Sequence, residues 1–199
     1  MEIEYSKKEI SFKKELNELD KLALYFSAIL EKVNIKNVFV SGYISILFGR
    51  SRSSEDIDII IETIDFNKFS KLWNELSKDF ECLNTSNEKE AFNHYLNNKH
   101  SLRFARKDNF EPNMEIKFPK LLLDELALKE RIKVNLNDSS LFISPIEQQI
   151  SFKLYLGSEK DIEDAKHLYN LFKGRIDQEI LNEFNRKLKV VEIFNKYIK

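Results

Sequence analysis

The sequence has little of the residues that break or brace a chain. Four glycines, three prolines and one cysteine occur in 199 residues. The lone Cys82 excludes an internal disulfide framework and a cysteine zinc cluster. His94, His100 and His167 stand at no metal-ligand spacing, and no Ser-His-Asp or Cys-His arrangement can be read. No apolar run approaches the roughly 20 residues of a membrane-spanning helix, so no membrane partner is expected. The opening MEIEYSKKEISFKKEL carries acids and lacks a signal-peptide core, which makes a cytoplasmic protein the expectation. An excess of one charge is missing too. Lys and Arg total 32 against 33 Asp and Glu, a net charge of −1, so no global attraction to nucleic acid is implied. Local basic patches remain open. Few Gly and Pro beside much Lys, Ile, Asn and Glu fit an AT-rich genome; a thermophilic source stays open. No internal repeat or low-complexity tract stands out.

What is present describes a soluble globular chain. Hydrophobic residues make up 42% and charged residues 33%, and sixteen Phe with seven Tyr can fill a core. The length suits one large domain or two small ones.

The most informative segment is EDIDIIIE, residues 55–62. It is short, rich in β-branched residues and reads as a buried strand. Side chains alternate along a strand, so Asp56 and Asp58 share one face while Ile57 and Ile59 point into the core. Carboxylates about 7 Å apart along the chain repel each other unless something positive lies between them. A divalent metal with oxygen ligands, Mg2+ or Mn2+, is the simplest candidate. The alternative is the solvated face of an edge strand.

Upstream, residues 38–41 read as a strand, Gly42 as a turn, 43–48 as a short apolar helix and GRSRSS (49–54) as a loop. Two of the four glycines, Gly42 and Gly49, flank this one helix. A glycine opening a helix allows close backbone approach and presents free N–H groups, which suits a phosphate. Both could also be simple turn glycines. Arg50 and Arg52, with Ser51, Ser53 and Ser54, add donors just before the acids, or stand as ordinary surface charge. Phosphate donors followed by metal-binding acids are what nucleoside triphosphate chemistry needs.

With Val40-Ser41-Gly42 at a glycine motif and Asp56-Ile57-Asp58-Ile59 at an acid motif, the chain resembles the DNA polymerase beta-like nucleotidyltransferase superfamily. It is similar above all to small prokaryotic members, including AbiE-type toxin enzymes. The resemblance spans roughly residues 38–171. It departs where Ser41-Gly42 replaces Gly-Gly or Gly-Ser and Tyr43 follows at once. It implies nucleotide contacts from Ser41, Gly42, Arg50, Ser51 and Arg52, and a third metal ligand on a later strand. Glu115, in the alternating run Met114–Phe118, holds that position; a half-buried strand with a Glu-Lys face is the other reading. The resemblance also implies a Lys on one helix and an Asp-x-x-Asp pattern on the next, here Lys153, Asp161 and Asp164. Lys153 would contact or orient phosphate, with Asp161 or Asp164 positioning it or assisting proton removal. Otherwise Asp161 complements a helix start and Lys153 is a solvated charge.

Elsewhere the patterning predicts an amphipathic helix or helix pair over 7–33 and a helix over 65–79 capped by Asp65. A short strand is expected at 80–83, a helix at 87–97, strands at 101–106 and 113–118, and a hairpin of 129–136 with 139–143. Ser144, Pro145 and Glu147 predict a capping box opening a helix that ends at Gly157. Helices over 158–172, 177–187 and 190–199 follow. The expected fold class is α+β: a nucleotidyltransferase-like mixed sheet with flanking helices (residues 1–143, including an N-terminal helix) and a helical C-terminal subdomain packed on it (144–199).

The functional expectation is transfer of a nucleoside monophosphate from an NTP, ATP among the choices, to a hydroxyl acceptor with pyrophosphate release. Asp56, Asp58 and Glu115 would hold metal; Lys153 and Asp164 would complete the catalytic set. The acceptor stays open among an RNA or tRNA end, a protein and a small molecule. A patch of Lys117, Lys120, Lys129, Arg131 and Lys133 would hold an RNA end or form a solvated face. The competing readings are a non-catalytic binding or regulatory module, perhaps in a toxin–antitoxin pair, and a metal-dependent nuclease. Oligomeric state is not readable.

Overall fold

The computed structural model of the chain describes residues 2–6, 8–52 and 56–198. It opens with a hairpin of β1 (Ile3–Ser6) and β2 (Glu9–Phe12), followed by α1 (Glu18–Lys32). This corrects the helix expected from residue 7. Ile10 and Phe12 are buried while Glu9 and Ser11 point outward, the period of a strand. Phe12 therefore belongs to the sheet and not to the helix, which begins at Glu18. The strand forms because β2 pairs in parallel with a distant partner, Ile10 against Val134; such pairing outweighs local propensity. Helix α1 starts where Asn17 and Asp20 exchange side-chain to backbone hydrogen bonds.

The chain then runs through β3 (Asn37–Val40), α2 (Gly42–Leu47) and β4 (Asp56–Ile61). Next come α3 (Phe66–Leu76), capped by Asp65 as expected, and β5 (Phe80–Cys82). Helix α4 (Glu88–Glu90) continues as a π turn, Ala91–Tyr95, and a 3-10 turn, Leu96–Asn98. Strands β6 (Leu102–Arg106) and β7 (Asn113–Lys117) lead to α5 (Leu122–Lys129), then to β8 (Ile132–Leu136) and β9 (Ser139–Ile143). Lys129 thus ends a helix that the sequence reading did not include, and the strand begins three residues later than expected. Helices α6 (Ile146–Leu156), α7 (Glu159–Phe172), α8 (Gln178–Lys187) and α9 (Val191–Tyr197) complete the chain.

Among the described residues nine strands form one mixed sheet in the order β1-β2-β8-β9-β3-β4-β7-β6-β5. Strand β4 lies centrally, antiparallel to β3 and parallel to β7. Its alternation serves two layers. Ile57, Ile59 and Ile61 join the main core with residues of α1, α2 and α3. Ile60 turns to the opposite face, where Val38, Ala127 and Leu128 form a smaller cluster under α5. The main core also contains residues of α6 to α9, and the rings of Phe48 and Phe172 meet edge to face at 4.9 Å.

The capping box expected at Ser144 does not form. Ser144 Oγ accepts from Gln149 Nε2 at 2.6 Å, and Glu147 accepts from the Asp177 N–H at 3.0 Å, tying α6 to the start of α8. Gly157 ends α6 in the left-handed conformation, φ 72°, as expected. No helix among the described residues is long and apolar enough to cross a membrane.

Candidate functional site

Asp56 and Asp58 stand on the same face of β4, and the register extends that face across the sheet. Asp58 lies opposite Glu115 on β7, and Glu115 lies opposite Arg103 on β6. Lys117, two residues on from Glu115, brings Nζ to 4.0 Å from Asp58 Oδ1. Burial pushes the Asp58 carboxyl up from its ordinary value. Lys117 opposes that shift, Glu115 and Asp56 add to it, and the Ser41 hydroxyl works against it. Burial also raises Glu115, but hydrogen bonds from Ser101 and from Arg103, whose Nε is 3.0 Å from Oε2, bring it below the usual carboxylate range.

These three side chains offer hard oxygen donors on one open face, the chemistry that suits Mg2+ or Mn2+. The fit is to the donor set: among the described residues no group of three metal-ligating side chains is gathered tightly enough to hold an ion. Arg103 and Lys117 supply the positive charge instead.

The glycine turn lies beside Asp58. Ser41 takes φ 66° and ψ −141°, a conformation that glycine adopts freely and other residues rarely. This explains the position's kinship with a Gly-Gly motif. Gly42 is needed for a different reason: a Cβ there would come within 2.8 Å of Arg52 Nη2. Tyr43 turns away from the turn. It is buried, and its hydroxyl donates to Asp20 Oδ1 at 3.1 Å. Asp20 in turn binds Lys14, whose ammonium also donates to the Leu47 carbonyl at 2.9 Å. Both ends of α2 are thereby tied to one buried carboxylate.

Asp164 is fully buried, and its carboxylate accepts from both Arg50 and Arg52. Lys153, 2% exposed, lies 3.0 Å from the same carboxylate and donates to Asp161 Oδ1 at 2.7 Å. Asp161 also serves the helix start, exchanging hydrogen bonds with Ser158. Three cations thus surround two acids, and Arg50 further donates to the Lys160 carbonyl at 3.1 Å. The structure therefore joins the GRSR loop to the Lys153 group and carries both to Gly42 through Arg52. It leaves the Lys153 ammonium turned into this network, enclosed by protein. Ser51 is exposed in the loop. Ser53, Ser54 and Glu55 lie outside the described residues.

The basic patch expected from the sequence does not gather in one place. Lys117 and Lys120 line a cavity beside Asp58, and Lys99 joins them. Arg131 instead stacks on Phe142, 3.7 Å from its ring centre, in a different hollow. Lys129 lies 4.0 Å from Glu130. His167 Nε2 is 3.0 Å from the Phe48 carbonyl, while His94 and His100 are exposed. Cys82 is half-buried, its thiol raised by burial against nearby backbone N–H groups. Sequence reasoning missed Arg103, Lys99, Gln148 and Gln149. Only for Arg103 was there a signal, since it lies on the strand that precedes the Glu115 strand.

No protein-family model matches the sequence, and no curated protein matches it. A solved structure shares its fold. An antigenic nucleotidyltransferase-like protein from Paracoccidioides brasiliensis superposes with a TM-score of 0.56 and 18% identity, over 91% of this chain and 92% of that one. JHP933 from Helicobacter pylori gives 0.44 and 18%, over 93% and 82%. A tRNA-processing enzyme gives 0.39 and 15%, over 91% of this chain and 59% of that chain. The chain has a nucleotidyltransferase-like fold.

Proposed function

We propose that the protein transfers a nucleoside monophosphate from an NTP to a hydroxyl acceptor. One observation carries this reading: in a nucleotidyltransferase-like fold, Asp56 and Asp58 share the open face of a central strand, and Ser41 of the glycine turn lines the same cavity as Asp58. In the reaction the acceptor oxygen forms a bond to the α-phosphorus. The bond from that phosphorus to the bridging oxygen of the β-phosphate breaks, the hydroxyl proton is released and pyrophosphate leaves. Bound Mg2+ or Mn2+ would supply charge neutralisation at the phosphates and acidify the attacking hydroxyl. Asp56, Asp58 and Glu115 are the residues that would hold it.

The remaining residues bind and orient. Gly42 leaves room for the guanidinium of Arg52, which is the group offered to phosphate at the turn. Asp164, held with Lys153, positions Arg50 and Arg52 rather than touching the substrate. Ser51 extends the donor set of the same loop. The acceptor belongs to the class of RNA ends, protein hydroxyls or small molecules.

The test uses magnesium, labelled NTPs and bulk RNA or lysate. A product should be labelled, pyrophosphate released and Asp58→Ala inert. Equal labelling by Asp58→Ala rules the assignment out.

The pairing of Glu115 with Arg103, and of Asp58 with Lys117, favours a second reading: a non-catalytic binding or regulatory module that no longer takes nucleotide. Calorimetry separates the two. NTP binding that requires magnesium and disappears in Asp56→Ala supports the enzyme. Absence of NTP binding supports the module, and a toxin–antitoxin setting would then be sought by co-purification.

A further inference from the structure

A cavity of about 210 Å3 opens beside Asp58, with residues of α5 and α6 in its wall. Ser41 and Phe152 line it; Arg50, Arg52 and Lys153 do not. Consecutive residues of α6 thus serve two sides. Lys153 joins the arginine network through Asp164, and Phe152 faces the cavity. In phosphoryl transfer the attacking and leaving oxygens lie roughly in line, on opposite sides of phosphorus. With the triphosphate on the arginine side, the cavity is where an acceptor hydroxyl reaches Asp58.

The charges lining this cavity are unequal. Lys99, Lys117 and Lys120 stand against Asp58 and Asp124. Lys117 lies 4.0 Å from Asp58. Asp124 Oδ2 accepts from the Lys120 and Leu121 N–H groups, at 2.9 Å each, so its carboxylate is engaged at the start of α5. Lys99 and Lys120 are exposed, and neither ammonium forms an ion pair among the described residues. The apolar lining also continues into solvent. Leu121 is 56% exposed and Tyr155 59%. The Tyr155 ring stacks on that of Phe152, with centroids 6.1 Å apart and 23° between the planes. Two flat rings therefore run from the cavity to the surface, and two unpaired ammonium groups border the same cavity.

We propose that this surface takes the hydroxyl end of a single-stranded RNA as the acceptor. The last base lies against Phe152, the preceding one against Tyr155, and the phosphates toward Lys99 and Lys120. The inference rests on the nucleotidyl-transfer reading and names its acceptor. The terminal ribose oxygen bonds the α-phosphorus and gives up its proton, and pyrophosphate leaves. Every base has a π face that stacks on an aromatic ring, and lysines neutralise the backbone beside it. A small molecule held in the cavity leaves the Tyr155 ring uncovered. A protein segment brings no phosphates to the lysines, and paired bases in a duplex cannot spread over the two rings.

Fluorescence anisotropy of the full chain, without NTP, tests this with a 5′-labelled RNA of about eight nucleotides, single-stranded or sealed in a blunt duplex. The single strand should bind, and the duplex at least about tenfold more weakly because its bases stay stacked on each other. Tyr155→Ala should weaken strand binding roughly 5- to 100-fold, the worth of one stacked base. Tyr155→Phe keeps the ring and should bind as the unmodified protein does. Affinity should fall with salt by about 0.7 logarithmic units per unit for each phosphate neutralised, so Lys120→Gln should flatten that slope by about 0.7. Tyr155 is exposed, so its replacement leaves the core intact. Absence of strand binding, equal binding of the duplex or undiminished binding by Tyr155→Ala overturns the RNA assignment. The transfer reading fails separately. In the labelling test, label on protein or small molecules alone overturns the RNA acceptor and leaves nucleotidyl transfer standing. Label on nothing overturns transfer, and the acceptor role with it.

Discussion

The carboxylate of Asp164 holds the guanidinium of Arg52 beside Gly42, so a residue of α7 determines what lies over the glycine turn. The three positions span more than a hundred residues of chain, yet they act as one unit. Gly42→Ala tests it. The added Cβ would sit 2.8 Å from Arg52 Nη2, and Arg52 cannot swing freely while Asp164 anchors it. Overpacking should cost about 1–3 kcal/mol. On the phosphate-binding role proposed for Arg52, its displacement should weaken NTP binding or turnover by roughly 10- to 100-fold. Urea unfolding and nucleotide titration on the same variant read the two effects. Unchanged nucleotide affinity would separate Arg52 from the phosphates.

Asp164→Asn probes the network from its centre. The substitution leaves Arg50, Arg52 and Lys153 facing one remaining acid, Asp161, in a buried setting. Removing one partner of a buried ion pair costs about 3–5 kcal/mol. Chemical denaturation should show a loss of that order. A loss below about 1 kcal/mol would mean that water reaches these cations and that Asp164 does not hold them.

Ser41 isolates backbone strain. Its φ of 66° favours glycine, and it lines the same cavity as Asp58. Ser41→Gly and Ser41→Ala both lose the hydroxyl, but only glycine relaxes the backbone. The glycine variant should be more stable than the alanine variant by about 1–2 kcal/mol. Equal stability in urea would show that the turn carries no such strain.

Asp161 predicts a pH dependence. Burial raises its carboxyl, but hydrogen bonds from Lys153 and Ser158 and the charge of Lys153 outweigh burial, so it lies below its ordinary value of 3.8. A carboxyl depressed in the folded state contributes stability that is present above 3.8 and lost as pH falls through the folded value. Asp161→Asn should therefore melt below the unmodified protein at pH 7. The two melting curves should converge as the pH falls through the folded value. A gap that persists unchanged below it would assign the effect to packing.

The sequence alone determined the features that depend on neighbours. Alternation in DIDIII placed two acids on one face and isoleucines on the other. Asp65 and Gly157 marked helix ends because a cap needs only the first or last turn. The glycine-opened helix after a short strand was equally local. Strand partners and ion partners were not readable in this way. Strand β2 exists because β8 lies beside it, and Glu115 meets Arg103 through the β6–β7 register. Arg50 meets Asp164 114 residues along the chain. An arginine next to serines looks the same whether it faces solvent, phosphate or a buried carboxylate. Only the path of the chain brings the partner, and the energy of a buried charge depends on that partner. The tertiary structure therefore decided that Lys153 and Asp164 form an enclosed support behind the glycine turn. It also decided that a cavity lined by Lys117, Gln148 and Gln149 stands next to Asp58.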